Sequence, residues 1–141
     1  MAFPLSAANL IPQKAPIVLV DRLFESDETM SVSDFEIRNG CVFVENGLLV
    51  SAGLMENIAQ TCALRTGFSA QTEGGRVRVG VIGGVKNLTV FRLPAVGERL
   101  TTTVTEVLNA DPAMLFSAEI RVGDETVASC EMKVFLGDDE A

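Results

Sequence analysis

Apolar and polar positions follow one rhythm at the two ends of the chain and another in the middle. "IVLVDRLFES" (17–26) is β-branched and apolar and predicts a strand. Asp27-Glu28 predicts a hairpin turn, and "TMSVSDFEI" (29–37) alternates with period two, a second strand that ends at Arg38-Asn39-Gly40. From Ala52 to Thr66 the alternation stops. Leu54, Met55, Ile58 and Cys62 recur at helical spacing, with Ser51 placed as an N-cap and Gly67 as the residue after the C-cap. Strand character then returns in four runs, 76–93, 98–110, 113–123 and 125–137. Gly83-Gly84 predicts a bulge in the first of them, and turns fall at 109–112 and at Gly123-Asp124. "DDEA" (138–141) is expected to fray. Two strands, one long helix and three or four long strands predict an α+β fold. An antiparallel sheet covers a helix that cannot bury its own apolar stripe. A long edge strand is left over, so pairing into a wider sheet is expected.

Composition narrows this picture. The 141 residues suit one domain, 1–141, with no linker or repeat, able to bury about two thirds of its unfolded surface. A net charge of -8 argues against nucleic-acid binding, which needs a basic face. It also disfavours an acidic protein partner, unless the few Arg and Lys residues cluster on one face. Cys41, Cys62 and Cys130 are widely spaced and the chain has no histidine, so no metal site is expected. They read as buried apolar residues in a reducing compartment. There is no convincing signal peptide and no apolar run long enough to span a membrane, so the cytoplasm is the expected location.

One helix face stands out. Glu56 sits with Ala52, Ala59, Gln60 and Ala63, opposite Ile58. A solvated face would carry several charges; this one carries a single acid among alanines. Small residues let another backbone approach, which implies a second packed surface, against a partner subunit or a ligand. A carboxylate there is costly to ionise unpaired, a setting that suits a general acid. It also lies in the first turns, where the helix dipole favours an anion without any chemistry. Gln60, one turn on, is placed to bond Glu56 or simply to cover a surface.

"LIPQKAPIVLVDRL", "MENIAQ" and "GGVKNLTVFRLPAVGERL" together resemble, in order and over nearly the whole chain, the hot-dog-fold (3R)-hydroxyacyl-acyl-carrier-protein dehydratases. The resemblance implies a long central helix wrapped by a curved antiparallel sheet, two chains paired edge to edge, and an acyl tunnel at their interface. It implies removal of water from a 3-hydroxyacyl thioester by a helix Glu of one subunit and a loop His of the other. The Glu carries over to Glu56 and the Gln after it to Gln60. The His position falls on Val42, followed by the matching Phe43, and Val50-Ser51 replace the Pro-Gly before the helix. Gln13 stands where the opening phrase has another His. Valine transfers no proton, so the expected dyad lacks its base.

Three readings follow. The first is an acyl-thioester-binding subunit that is non-catalytic alone or works with a His-bearing hot-dog paralogue. The second is an acyl-CoA or acyl-carrier-protein thioesterase in which Glu56 activates water and helix N-terminal amides polarise the carbonyl. The third is a dimer kept for assembly. The expected catalytic residue is Glu56, and the expected substrate contacts are Val42, Phe43, Ser51, Ala52, Gly53 and Gln60. No cofactor is implied.

Overall fold

A seven-stranded antiparallel sheet packs against one long helix in the computed structural model, which describes residues 3–11, 17–74, 78 and 80–137. In chain order the elements are β1 (Leu5–Ser6), a 3-10 turn (Ala7–Asn9), β2 (Arg22–Ser26), β3 (Met30–Glu36), β4 (Val44–Glu45), β5 (Leu48–Leu49), α1 (Ser51–Glu73), β6 (Gly80–Val90), β7 (Arg99–Ala110), β8 (Ala113–Val122) and β9 (Glu125–Leu136). The sheet runs β1-β2-β3-β7-β8-β9-β6, so β6 ends up at an edge, beside the last strand of the chain. This is the α+β hot-dog arrangement expected from the sequence. No described helix is long and apolar enough to cross a membrane.

Alternation places the core. On β8, Met114, Phe116, Ala118 and Ile120 are buried, and Ser117, Glu119 and Arg121 between them are exposed. The buried set meets Leu54, Ile58 and Cys62 of α1 and Cys130, Met132 and Val134 of β9. A second cluster joins Leu64 on the far side of α1 to Ala7, Leu10, Ile11, Val20 and Leu23. The expected bulge is present: pairing with β9 shifts register between Ile82 and Gly84. The turns at Asp27-Glu28, before Ala113 and at Gly123-Asp124 join β2–β3, β7–β8 and β8–β9.

Several boundaries differ from expectation, each for a physical reason. The helix runs on to Glu73 and stops at Gly74, which has φ 72, the left-handed conformation glycine adopts without strain. Gly67 is inside the helix instead. A Cβ there would sit 2.3 Å from the carbonyl oxygen of Leu10, so this glycine serves close approach of the N-terminal segment. Ser51 is the first helical residue; Val50 takes the cap position and makes no side-chain cap. The first long strand begins at Arg22 because the chain before it is held by the helix, as described below. A hairpin absent from the sequence expectations, β4–β5, turns at Asn46-Gly47 (φ 53 and 77), the Asn-Gly pair suited to a tight two-residue loop. The acidic tail, Gln13 and Arg76 lie outside the described residues.

Candidate functional site

The helix carries two polar features with different tasks. The first is a buried stripe at i, i+4 and i+8: Asn57, Thr61 and Arg65. Asn57 Nδ2 donates to the Leu19 carbonyl at 2.7 Å, and its Oδ1 accepts from the Thr102 hydroxyl of β7. Thr61 Oγ1 lies 2.7 Å from Ser33 Oγ on β3. The Arg65 guanidinium donates to the Asp27 and Glu28 carbonyls, pinning the β2–β3 turn, and pairs with Glu106. These groups satisfy one another, which makes a polar interior tolerable. The sequence reading did not single them out; the four-residue repeat was the available signal.

The second feature is Glu56 with Gln60. The Gln60 amide is fixed by the chain ahead of β2. Its Oε1 accepts the Leu19 N–H at 2.6 Å, so its Nε2 must face the other way, donating to the Ile17 carbonyl at 3.1 Å and to Glu56 Oε2 at 2.8 Å. Gln60 is buried and Glu56 half-buried. One carboxylate oxygen is thereby oriented, and no other described residue bonds the carboxylate. Oε2 accepts from the amide, and the second oxygen has no hydrogen-bond partner among the described residues. Gln60, expected among substrate contacts, is placed by these bonds as the group that aims Glu56.

The remaining expected residues gather at the helix N-terminus. Val50 N–H donates to the Phe43 carbonyl at 3.0 Å, folding the 41–50 segment over the start of α1. Gly53 makes this packing possible, because a Cβ there would lie 2.8 Å from Phe43 Cβ and 2.7 Å from Leu49 Cδ1. Its N–H is bonded to the Val50 carbonyl at 2.8 Å, while the amides of Ser51 and Ala52, in the first helical turn, have no intrahelical acceptor. Phe43 is half-buried, and Val42 and Ala52 are exposed. The loop after β6 braces the β4–β5 hairpin: Leu49 N–H donates to the Pro94 carbonyl and Val96 N–H to the Gly47 carbonyl. That loop is closed by Arg92, which bonds both Glu98 oxygens and Glu125, while Glu98 also accepts the Ala95 N–H. The Arg92 guanidinium holds the Glu98 carboxyl down at about 2.

The small-residue face of α1 is open. Ala59, Ala63 and Thr66 are half-buried and, with Cys62, Ile82, Phe116 and Leu136, line a narrow apolar groove. It lies about 5 to 15 Å beyond Glu56 along the helix axis. Burial pushes the Cys62 thiol up to about 12, so it is a wall of this groove and not a nucleophile at neutral pH. Beside the groove, β6 is exposed along almost its whole length, with Val81, Ile82 and Leu88 in solvent. No group of potential metal ligands occurs among the described residues.

Known proteins agree with this architecture. A family model described as ApeP-like, ApeP dehydratase, matches residues 5–141. The dehydratase heterocomplex ApeI:P from Xenorhabdus doucetiae superposes with a TM-score of 0.87 at 15% identity, covering 98% of this chain and 93% of the matched one. A hypothetical thioesterase with coenzyme A from Streptococcus pneumoniae gives 0.66 at 12% identity, covering 84% and 87%. The PaaI protein of the E. coli phenylacetic acid degradation operon gives 0.62 at 15% identity, covering 80% of each chain. No curated protein sequence matches the chain.

Proposed function

The chain belongs to the ApeP-like dehydratase family, and on that premise we propose that it is the histidine-free subunit of a two-chain dehydratase acting on 3-hydroxyacyl thioesters. One observation carries the reading: Glu56 is aimed by Gln60 on an open helix face, in a chain that contains no histidine. A similar structure is named as a dehydratase heterocomplex, which supports a hot-dog partner of a different sequence. In the proposed reaction a partner imidazole takes the proton from C2. The C3–O bond breaks, and the hydroxyl leaves as water with a proton from Glu56, giving a 2-enoyl thioester. The acyl tail lies along the Ala59–Thr66 groove, and the partner strand pairs with β6. Phe43 and the Ser51 and Ala52 amides border the thioester, and Val42 marks the loop where a histidine-bearing subunit would carry its base.

The test is a dehydration assay on 3-hydroxyacyl carrier-protein and CoA substrates, with the chain alone and then mixed with a histidine-bearing hot-dog partner. Turnover is expected only in the mixture. Robust dehydration by the lone chain would sink the proposal. Hydrolysis of acyl-CoA by the lone chain, lost in Glu56→Gln, would replace it with the thioesterase reading.

A further inference from the structure

The buried stripe of α1 and the oriented carboxylate meet at one residue, Leu19. Leu19 is fully buried, and its backbone lies outside the sheet ladders. Both of its backbone groups are bonded by helix side chains instead. The Leu19 N–H donates to Gln60 Oε1 at 2.6 Å, and the Leu19 carbonyl accepts from Asn57 Nδ2 at 2.7 Å. Asn57 and Gln60 are i, i+3 neighbours on the helix, so one turn of α1 grips one residue of the chain ahead of β2.

These bonds run one way. The Thr102 hydroxyl donates to Asn57 Oδ1, and Asn57 donates to the Leu19 carbonyl; the Leu19 N–H donates to Gln60, and Gln60 donates to Glu56 Oε2. Neither amide turns over without bringing like atoms together. A flipped Gln60 would set Nε2 against the Leu19 N–H and Oε1 against Glu56 and the Ile17 carbonyl; a flipped Asn57 would set Oδ1 against the Leu19 carbonyl. Thr102, Asn57, Leu19 and Gln60 are all buried, where such bonds are strong and polarise one another. The far end is rigid. Thr102 sits between the core residues Leu100 and Val104 on β7, which is paired on both sides, to β3 and β8. A hydroxyl in that apolar row is costly unless it is bonded, and Asn57 supplies the bond.

We infer that Thr102 and Asn57 are positioning residues for Glu56. They carry the fixed position of β7 through Leu19 and Gln60 to the carboxylate. Without the Thr102 hydroxyl, Asn57 loses the donor that sets its amide, the grip on Leu19 loosens, and Gln60 no longer holds Glu56 in one direction. The effect on rate rests on the proposed role of Glu56 as the acid; the effect on Gln60 rests on the bonds alone.

The test compares Thr102→Val with Thr102→Ser, which keeps the hydroxyl, and with Ser33→Ala. Ser33→Ala removes the 2.7 Å contact with Thr61 Oγ1, in the same buried stripe but off the path to Glu56. Melting temperatures show how far each variant is destabilised. In dehydration by the mixture with a histidine-bearing hot-dog partner, Thr102→Val should lower kcat about tenfold and leave KM and association within about twofold of the parent. Thr102→Ala, a second variant without the donor, should match it. Thr102→Ser and Ser33→Ala should keep the parent kcat. The Gln60 side-chain amide of the lone chain gives a readout without any reaction. Its NMR signals, assigned by their loss in Gln60→Glu, should shift in Thr102→Val and exchange with solvent about tenfold faster. In Ser33→Ala they should stay as in the parent. Unmoved Gln60 signals, a parent-like kcat in Thr102→Val, or an equal loss of kcat in Ser33→Ala would each overturn the inference. A mixture that dehydrates nothing refutes the functional reading instead, and the Gln60 signals then decide the inference by themselves.

Discussion

Strands β8 and β6 belong to one sheet, separated only by β9, and are nearly equal in length, yet their surroundings differ. On β8 alternate residues are buried, and one face is solvent; on β6 residues of both faces are exposed, and only Val85 and Val90 are half-buried against the core. The helix repeats the contrast around its circumference. Its Asn57–Thr61–Arg65 side is closed by bonds to β3, β7 and the chain ahead of β2, whereas its Ala59–Ala63 side faces an open groove. One half of the molecule is finished by its own chain. The other half presents a free edge, an open helix face and an oriented carboxylate together, as expected where a second chain completes the structure.

The contrast can be broken from either side. The largest effect is expected at the unfinished edge. The double variant Ile82→Asp/Leu88→Asp puts charge on side chains already 42% and 38% exposed. The lone chain should melt within about 0.5 kcal/mol of the parent. Association with a hot-dog partner should weaken about thirtyfold or more, read by sedimentation or native mass spectrometry. Unchanged association would place the partner elsewhere. On the finished side, Asn57→Ala removes the donor to the Leu19 carbonyl and the acceptor for Thr102. A loss of about 2–3 kcal/mol in denaturant unfolding is expected, with the lone chain affected as much as any complex.

The smallest effect is electrostatic. Glu98 has a folded-state value of about 2, below its ordinary 4.5. Its bond to Arg92 therefore stabilises the fold fully above about pH 4.5, and that contribution is lost as pH falls from there toward 2. Glu98→Gln should lower the melting temperature modestly at pH 7, and the gap from the parent should close as the pH is taken down through this window. A gap that stayed constant would show that the Arg92–Glu98 pair does not brace the loop.

Much of this contrast was legible in the residues. β-Branched runs, and period-two alternation at 29–37, located the long strands; the 54–58–62 stripe located the helix, and a lone acid among alanines marked the face left open. The interior polar stripe was not legible: Asn57, Thr61 and Arg65 are buried because each finds a partner in another element, far away in the chain. Gly67 looked like a stop because chain order cannot reveal that Leu10 lies against it. The Glu56–Gln60 pair was foreseeable from i, i+4 spacing. Its orientation by Ile17 and Leu19 was not, because those bonds span about forty positions of chain.

The most direct test of the central claim is the effect of Glu56→Gln in this chain on dehydration by a mixture with an unaltered histidine-bearing hot-dog partner. If Glu56 supplies the acid half of a shared site, the rate should fall by about 10²–10⁴-fold while association with the partner stays intact. A mixture that dehydrates at the parent rate with Glu56→Gln would show that this chain contributes no catalytic group to the reaction.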